Sequence, residues 1–451
     1  MPEKRIVITG AGVVSPIGIG HADFFDAVLR GDSGIRSLED RDDDGPTPPD
    51  ESNDPGIWIG APVIGFDAKR FVKPRKAIKV MCREIQLSFA ASMMAVDDAG
   101  LSGDLPASSD GPIRPDQIGT VFGSEMLFGP PTELVDAFID CISENGSVIE
   151  SQFGAAAMRK VMPLWMLKYL PNMPACHVGI ALNAHGPNNT LVLGDTSAPA
   201  AMMEAISCIQ RGTATWVMSG GCGTRINTTR MNYRNDLPTA DVSDPISASS
   251  RPYDQASAGV VGGEAAVSFV LESMETARCR GANPLAEVVA MASRFVASGG
   301  MSLAKRSNLN HPSGIRGSAQ AIELAVGEAI RKANLATADI GFVVSHAMGD
   351  PLMDEQERRA LERCLPGVPL VTPIGLVGHC GAASGSIEVL VAVVALSRKV
   401  VPPSIVLPEA GAATVERRDA QPLTHDHVLC ISHTSEGNAI ATVLGRAALP
   451  S

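Results

Sequence analysis

The feature that most constrains the fold of this chain is an alternation of strand-like and helix-like apolar segments that runs through the sequence twice. In the first half, strand-like runs lie at 5–9, 118–123, 190–193 and 215–218, with helix-like stretches at 21–29, 78–100 and 199–211. In the second half, strand-like runs lie at 286–292, 340–345, 370–372, 428–432 and 439–443, with helix-like stretches at 317–333, 355–362 and 385–397. This order predicts an α/β fold whose sheets are covered on both faces. Its repetition predicts a layered duplication with similar halves at 1–272 and 273–451.

Composition excludes several classes of protein. Hydrophobic residues make up 45% of the 451 residues and charged ones 19%, which is enough for a large core and too apolar for disorder. A net charge of −12 argues against general nucleic-acid binding. We find no apolar run suited to span a bilayer and no secretory leader, so we expect a cytoplasmic protein without membrane contact. The nine cysteines show no CxxC spacing, which is typical of reduced thiols.

One basic segment runs against the acidic balance of the chain. Arg83 ends this segment, and the basic residues before it are Lys69, Arg70, Lys73, Arg75, Lys76 and Lys79. These side chains form either a solvated surface or a docking patch for an acidic partner, because a positive patch steers an anionic partner toward an acidic protein.

Three residues are candidates for a shared site. Asp195 follows a strand and precedes a helix, where backbone amides favour negative charge, although an aspartate there is also an ordinary helix cap. His346 and His379 follow strands of the second half, and ligands gather at such strand ends. The three groups form either a hydrogen-bonded cluster or a two-histidine, one-carboxylate site for Fe(II) or Zn(II); we favour the cluster without a metal.

Two other motifs suggest chemistry that we do not expect. Residues 10–15 imitate a dinucleotide fingerprint, but Pro16 stands where its helix should begin and the acidic residue required further on is missing. Cys380, beside His379, reads as a small buried hydrophobe rather than a reactive thiol. We therefore expect no cofactor.

Ordered motifs along nearly the whole chain resemble those of the β-ketoacyl-acyl-carrier-protein synthases, or ketosynthases. Residues 186–195 resemble the approach to the nucleophilic cysteine of that family, with Asp195 at the position of the thiol, and Gly220-Gly221 follow at the family's spacing. The remaining matches are the turn at 251–254 (Arg-Pro-Tyr-Asp), the "HGTxTxxxD" spacing at His346, Pro351, Asp354 and Glu357, and the "GH" motif at His379.

The resemblance implies a five-layered αβαβα thiolase fold and a dimer. In the family, a thiolate takes an acyl chain from a carrier protein or coenzyme A, and two histidines assist decarboxylation of a malonyl thioester. By resemblance, His346 and His379 hold those positions, Ser435 and Gly437 contact substrate or its oxyanion, and the basic segment docks an acyl carrier protein.

Three departures from the family put elongation in doubt. Asp195 replaces the thiol, Ile374 replaces a lysine five residues before the second histidine, and residues 433–438 replace a flexible glycine–phenylalanine gate. A carboxylate that attacked a thioester would give a labile anhydride, so we do not expect elongation from this subunit alone.

Three functions stay open, and whether the chain is an enzyme stays open with them. The first is a chain-length-factor-like subunit, as a homodimer or paired with an active ketosynthase. The second is an atypical enzyme that uses Asp195, His346 and His379 for malonyl decarboxylation or acyl transfer or hydrolysis. The third is a non-catalytic module that binds an acyl chain or carrier protein. The lost thiol, lysine and gate favour the first; the retained histidines favour the second.

Overall fold

Strands and helices alternate through both halves of the chain, as the sequence predicts. The computed structural model describes residues 4–40, 55–105, 107–108, 113–227, 229, 237–299, 316–407 and 416–447. The helices are α1 His21–Arg30, α2 Arg83–Asp98, α3 Val135–Ile139, α4 Phe153–Lys160, α5 Met173–Leu182, α6 Ser197–Gln210, α7 Met274–Cys279, α8 Ala319–Ala333, α9 Pro351–Cys364, α10 Ile374–Val377 and α11 Ser384–Arg398. The strands are β1 Ile6–Ser15, β2 Gly18–Ile19, β3 Arg36–Ser37, β4 Ile59–Ala61, β5 Ile118–Gly123, β6 Asn188–Leu191, β7 Trp216–Thr224, β8 Gly262–Ser273, β9 Ala286–Phe295, β10 Ile340–Val344, β11 Leu370–Val371, β12 Val400–Val401, β13 Ser404–Val406, β14 Glu416–Arg418, β15 Gln421–Pro422, β16 His427–His433 and β17 Asn438–Gly445.

The strand pairings of the first half recur in the second. In the first half, β1 and β8 are antiparallel, β8 and β7 are antiparallel, and β7, β5 and β6 are parallel. In the second half, β9 and β17 are antiparallel, β17 and β16 are antiparallel, and β16, β10 and β11 are parallel. The two arrays join where β1 pairs with β9. The prediction of two similar halves is therefore confirmed, whereas a boundary between residues 272 and 273 stays a prediction.

Helices complete five layers around these two arrays. Helices α6 and α11 pack on each other and on strands of both arrays, which places them in the central layer. Helix α2, with α5 packed beside it, covers the outer side of the first array, and α8, with α9 packed on it, covers that of the second. The largest core cluster is mostly Ala, Val, Ile and Leu from α6, α11 and strands of both halves. This is the αβαβα thiolase-like fold predicted from the sequence.

Helix α11 corrects one expectation from the sequence. The segment Gly381–Arg398 is long and apolar enough to cross a membrane by length and composition, so the statement that no such run exists is wrong. It is 89% buried inside the protein, as expected of a core helix between two sheets.

Element boundaries show where local patterns misled the prediction. The helix predicted at 78–100 begins at Arg83 and is preceded by the 3₁₀ turn Arg75–Val80. The helix predicted at 355–362 begins at Pro351, because the Asp350 side chain accepts a hydrogen bond from the Leu352 N–H and Pro351 fits the first helical position. Helices α3–α5, α7 and α10 have no counterpart among the helices predicted from the sequence. Residues 38–56 are rich in Asp, Pro and Gly, which predicts an acidic surface loop. Most of this segment, at 41–54, lies outside the described residues.

Candidate functional site

A tight turn between β6 and α6 places Asp195. Gly194 has φ of +59°, a left-handed conformation that suits glycine. The Ser197 hydroxyl closes the turn: it donates to the Gly194 carbonyl at 2.5 Å and accepts from the Leu193 N–H at 2.8 Å. The N-cap of α6 is Thr196, so Asp195 lies one residue before the cap and the interpretation of Asp195 as a helix cap is wrong.

Both predicted histidines converge on the Asp195 carboxylate. His379 Nε2 donates to Asp195 Oδ1 at 2.8 Å, and His346 Nε2 lies 3.5 Å from Asp195 Oδ2. The two imidazoles are fully buried, and Asp195 is 6% exposed. The structure therefore brings together the three residues predicted from the sequence.

An arginine that sequence reasoning missed adjoins the same carboxylate. Arg225 Nη2 lies 3.7 Å from Asp195 Oδ1, and Arg225 Nη1 lies 3.3 Å from Glu125 Oε2. Glu125 in turn accepts the Thr224 N–H at 3.2 Å. The available signal was position, because Arg225 directly follows β7 and Glu125 lies two residues beyond β5.

Two further carboxylates hold His346. Its Nδ1 hydrogen-bonds Glu388, which also accepts a hydrogen bond from the Ser432 hydroxyl. Its backbone N–H donates to Glu357 at 3.2 Å. Glu388 is the only acidic residue of the otherwise apolar α11, and a buried charge of this kind indicates a specific partner.

A third histidine lies behind His346. His433 ends β16, and its Nε2 lies 3.0 Å from the buried Glu357 carboxylate. The ring centroids of His346 and His433 are 5.0 Å apart. His433 therefore provides Glu357 with a side-chain partner from the closing hairpin, a role that the resemblance to a lost gate does not predict.

The electrostatic environments of the two central histidines differ. Burial alone raises the pKa of Asp195, but His379 and His346 hold it well below its usual range. Burial opposes a high pKa for His346, yet Glu388 and Asp195 raise that pKa well above its usual value. Burial lowers the pKa of His379, and the opposing effect of Asp195 does not reverse this shift. A pair of groups whose pKa values are pushed apart can serve as an acid and a base.

Substituting Asp195→Asn tests this coupling. We expect the pKa of His346 to fall by about one unit, because a nearby carboxylate favours the imidazolium. Selective ¹⁵N labelling of histidine and NMR titration measure the shift. Asp98→Asn is the matched control, because Asp98 hydrogen-bonds His21 and raises the pKa of that histidine. This substitution should lower the pKa of His21 and leave the titration of His346 unchanged. An unchanged His346 titration in Asp195→Asn contradicts a single coupled site.

The same three residues are the candidate metal ligands of the described chain. Their ligand atoms all lie within 4.8 Å of one another. Two imidazoles and a carboxylate suit Fe(II) or Zn(II). However, the Arg225 guanidinium lies 3.7 Å from Asp195, and a fixed cation beside that carboxylate disfavours a divalent ion. The arrangement fits a hydrogen-bonded cluster better than a metal site.

The hairpin turn after β16 lies against the Asp195 turn. A Cβ added at Gly194 would lie 3.4 Å from Thr434 Cγ2. Gly437 has φ of +105°, and its N–H donates to the Thr434 carbonyl at 3.1 Å. The Ser435 carbonyl accepts the Gly317 N–H at 2.8 Å. Contact of Ser435 and Gly437 with substrate or an oxyanion stays a prediction.

The basic segment divides into exposed residues and one buried ion pair. Six residues of the segment, hereafter the basic patch, are exposed, and none of them forms an ion pair with another described residue. They are Lys69, Arg70, Lys73, Arg75, Lys76 and Lys79. Arg83 instead binds the buried Glu264 at 2.9 Å and the Val63 carbonyl at 2.8 Å, so its role is structural.

Comparison with known proteins identifies the family. Residues 3–277 match the beta-ketoacyl synthase N-terminal domain, and residues 301–407 match the C-terminal domain. The 3-oxoacyl-[acyl-carrier-protein] synthase 2 of Vibrio cholerae is 30% identical, over 91% of each chain. The tetracenomycin polyketide synthase ketoacyl synthase alpha subunit of Streptomyces glaucescens is 28% identical, over 89% of this chain and 87% of that one.

Solved structures agree on the fold. A beta-ketoacyl synthase from Burkholderia phymatum superposes with a TM-score of 0.79 at 24% identity, and the ishigamide ketosynthase/chain length factor with 0.77 at 21%. Each comparison covers 99% of this chain and 100% of the other. With both domain models matched in order along the sequence, this chain belongs to the beta-ketoacyl synthase family of fatty acid and polyketide biosynthesis.

Proposed function

We propose that this chain is a non-elongating ketosynthase-family subunit, similar to a chain length factor, that acts beside an active synthase on acyl chains bound to a carrier protein. The observation that carries the proposal is the Asp195 carboxylate, which accepts His379 Nε2–H at 2.8 Å. By sequence resemblance, this residue stands at the position of the family's thiol. A carboxylate cannot hold an acyl chain in the way that a thiol holds it as a thioester. The Asp195 carboxylate also engages the His379 N–H, a hydrogen-bond donor that a substrate oxygen would need.

No neighbouring thiol replaces the missing nucleophile. Cys380 is fully buried, and its Sγ donates to the Gly378 carbonyl at 3.3 Å. Burial raises the pKa of this thiol well above its usual value, so it is not a thiolate at neutral pH. This supports a subunit whose contribution lies in shaping a shared site.

The edge of the first array supports a subunit partner. Strand β6 ends the path of paired strands among the described residues. Next to it, Val192 and Leu193 are 45% and 46% exposed, and Ile180 of the neighbouring α5 is 76% exposed. A strand edge beside exposed apolar side chains suits association with a second chain. The partner is a second copy or an active ketosynthase, and the cytoplasmic setting belongs to the same proposal.

The partner can be identified in the native host. We propose to isolate the endogenous complex and identify its members by mass spectrometry. A co-purifying ketosynthase with an intact cysteine supports the proposed function. A homodimer that carries a bound acyl chain and no synthase points instead to the non-catalytic binding module.

Reversing two charges of the basic patch tests carrier-protein docking. We expect Arg75→Glu with Lys76→Glu to weaken carrier-protein binding about tenfold and to reduce its salt dependence, because exposed charges steer an acidic partner. Fluorescence anisotropy at low and high salt measures both effects. The double variant Arg278→Glu and Lys399→Glu reverses two exposed charges elsewhere and should change binding less. Equal affinity of the two double variants at low salt contradicts docking at the patch.

A catalytic alternative rests on the opposite environments of His346 and His379. In malonyl-thioester decarboxylation the carboxyl carbon–carbon bond breaks, CO₂ leaves, and the electron pair forms an enolate that takes a proton to give the acetyl thioester. His346 Nε2, without a hydrogen-bond partner among the described residues, is the group placed to stabilise the enolate oxygen. Mass spectrometry of malonyl-carrier protein tests this: acetyl product that disappears in His346→Gln supports decarboxylation, and no product above a blank excludes it.

A further inference from the structure

The Arg225 guanidinium and the His379 imidazole share one oxygen atom of Asp195. His379 Nε2 lies 2.8 Å from Oδ1, and Arg225 Nη2 lies 3.7 Å from the same atom. The Arg225 and Asp195 side chains are 12% and 9% exposed, so solvent screens their interaction weakly. A fixed positive charge therefore lies close to one of the two central histidines.

The surrounding chain is built to hold Arg225 there. Glu125 Oε2 lies 3.3 Å from Arg225 Nη1. Gly381, two residues after His379, has φ of +56°, and an added Cβ there would lie 2.6 Å from Glu125 Oε2 and 2.9 Å from Arg225 Nε. Glycine at this position thus lets the Arg225–Glu125 pair pack directly against the loop that carries His379.

We propose that Arg225 is a positioning residue that holds the Asp195 carboxylate on His379 and keeps this imidazole neutral, while His346 carries the positive charge. Burial disfavours the charged imidazole most, and like-charge repulsion adds to that effect, because a second cation beside a guanidinium is unfavourable in a buried site. His346 has a different neighbour, because its Nδ1 hydrogen-bonds the buried Glu388.

The groups that face His379 agree with this assignment. They are Asp195 before α6, Arg225 after β7 and His346 after β10. Burial lowers the pKa of His379 most strongly; Asp195 opposes the shift, and Arg225 and His346 reinforce it. The site then contains one neutral imidazole that donates to a carboxylate and one imidazolium that can donate a proton. The assignment holds whether the chain is a non-elongating subunit or a decarboxylase.

The first test needs no substitution. In protein with ¹⁵N-labelled histidine at pH 7, we expect His379 to show one protonated and one unprotonated ring nitrogen, and His346 to show two protonated ones. His346→Gln and His379→Gln assign the signals. A doubly protonated His379 in the unmodified protein overturns the proposal.

The second test varies the cation. We expect Arg225→Gln to raise the pKa of His379 by about one unit, and Arg225→Lys, which keeps the charge, to leave most of the shift in place. Arg280→Gln is the matched control. Arg280 pairs with the buried Glu272, so this substitution removes a partly buried ion pair that does not involve His379. An unchanged His379 titration in folded Arg225→Gln overturns the proposal. Should that variant fail to fold, the measurement on the unmodified protein decides. No readout involves activity, so failure here and failure of the proposed function are distinguishable.

Discussion

Asp195→Ala is expected to lower the free energy of unfolding by about 3–5 kcal/mol, because it removes the carboxylate from a buried cluster and leaves its cationic partners uncompensated. Arg225 and His346 then face each other's charge without the anion between them. Urea unfolding at a fixed protein concentration measures the change. Asp116→Ala removes an exposed carboxylate that pairs with the exposed Arg114, and should cost less than about 1 kcal/mol. A neutral or stabilising effect of Asp195→Ala contradicts the ion cluster described here.

The pH dependence of that difference follows from the two pKa shifts. The pKa of Asp195 is depressed in the folded protein, so its contribution is present above the unfolded value of about 3.9 and is lost as pH falls through the folded value. The pKa of His346 is raised, so its contribution is complete below about 6.5 and is lost as pH rises through the folded value. The stability gap between the unmodified protein and Asp195→Ala should therefore be widest between about pH 4 and 6.5. A gap that only widens toward alkaline pH contradicts this assignment.

The purified chain is expected to form no detectable β-ketoacyl product from acyl- and malonyl-carrier protein. Its rate of condensation should lie on the order of 10⁴-fold or more below that of an active synthase under the same conditions. The reason is the missing covalent step, since Asp195 cannot form a stable acyl-enzyme. Mass spectrometry of the carrier-bound chains measures the product. Condensed product above the blank from this chain alone contradicts the proposed function.

Covalent labelling gives that result a matched control. Ketosynthase inhibitors that alkylate the active-site thiol should leave the peptide containing Asp195 unmodified. Asp195→Cys places a thiol at the same position, beside His379, and its peptide should be labelled. Labelling of Asp195→Cys without any gain of elongation would show that a thiol at this position is not sufficient for condensation.

The central site was predictable because family spacing fixes which turns meet. Asp195, His346 and His379 each follow a strand, and the fold brings those strand ends together as expected. The cap interpretation of Asp195 failed because a local pattern cannot show that the helix begins one turn residue later, at Ser197. A one-residue difference of this kind is set by the Gly194 turn and the Ser197 hydroxyl, which depend on tertiary contacts.

The charged residues around the site were not predictable in the same way. Glu125, Arg225 and Glu388 belong to no recognisable motif, and their neighbours in sequence do not reveal which groups they contact. Their importance depends on burial and on partners that lie more than 40 residues away in the sequence, such as Ser432 for Glu388 and Arg225 for Glu125. His433 was noticed only as part of a lost gate, because nothing local links it to Glu357.

The recurrence of strand pairings also relates the site residues to one another, through an internal two-fold symmetry of the kind that gene duplication leaves behind. Glu125 lies two residues after β5, and His346 lies two residues after β10, the strand with the equivalent pairing. Arg225 directly follows β7, and His433 ends β16, its counterpart in the second half. The first half thus supplies Glu125, Asp195 and Arg225, whereas the three histidines of the site and their partners Glu357 and Glu388 come from the second half. The buried Asp195 carboxylate of the first half accepts a hydrogen bond from His379 of the second half at 2.8 Å, so the join between the halves gives this charge a partner and lets the core enclose it.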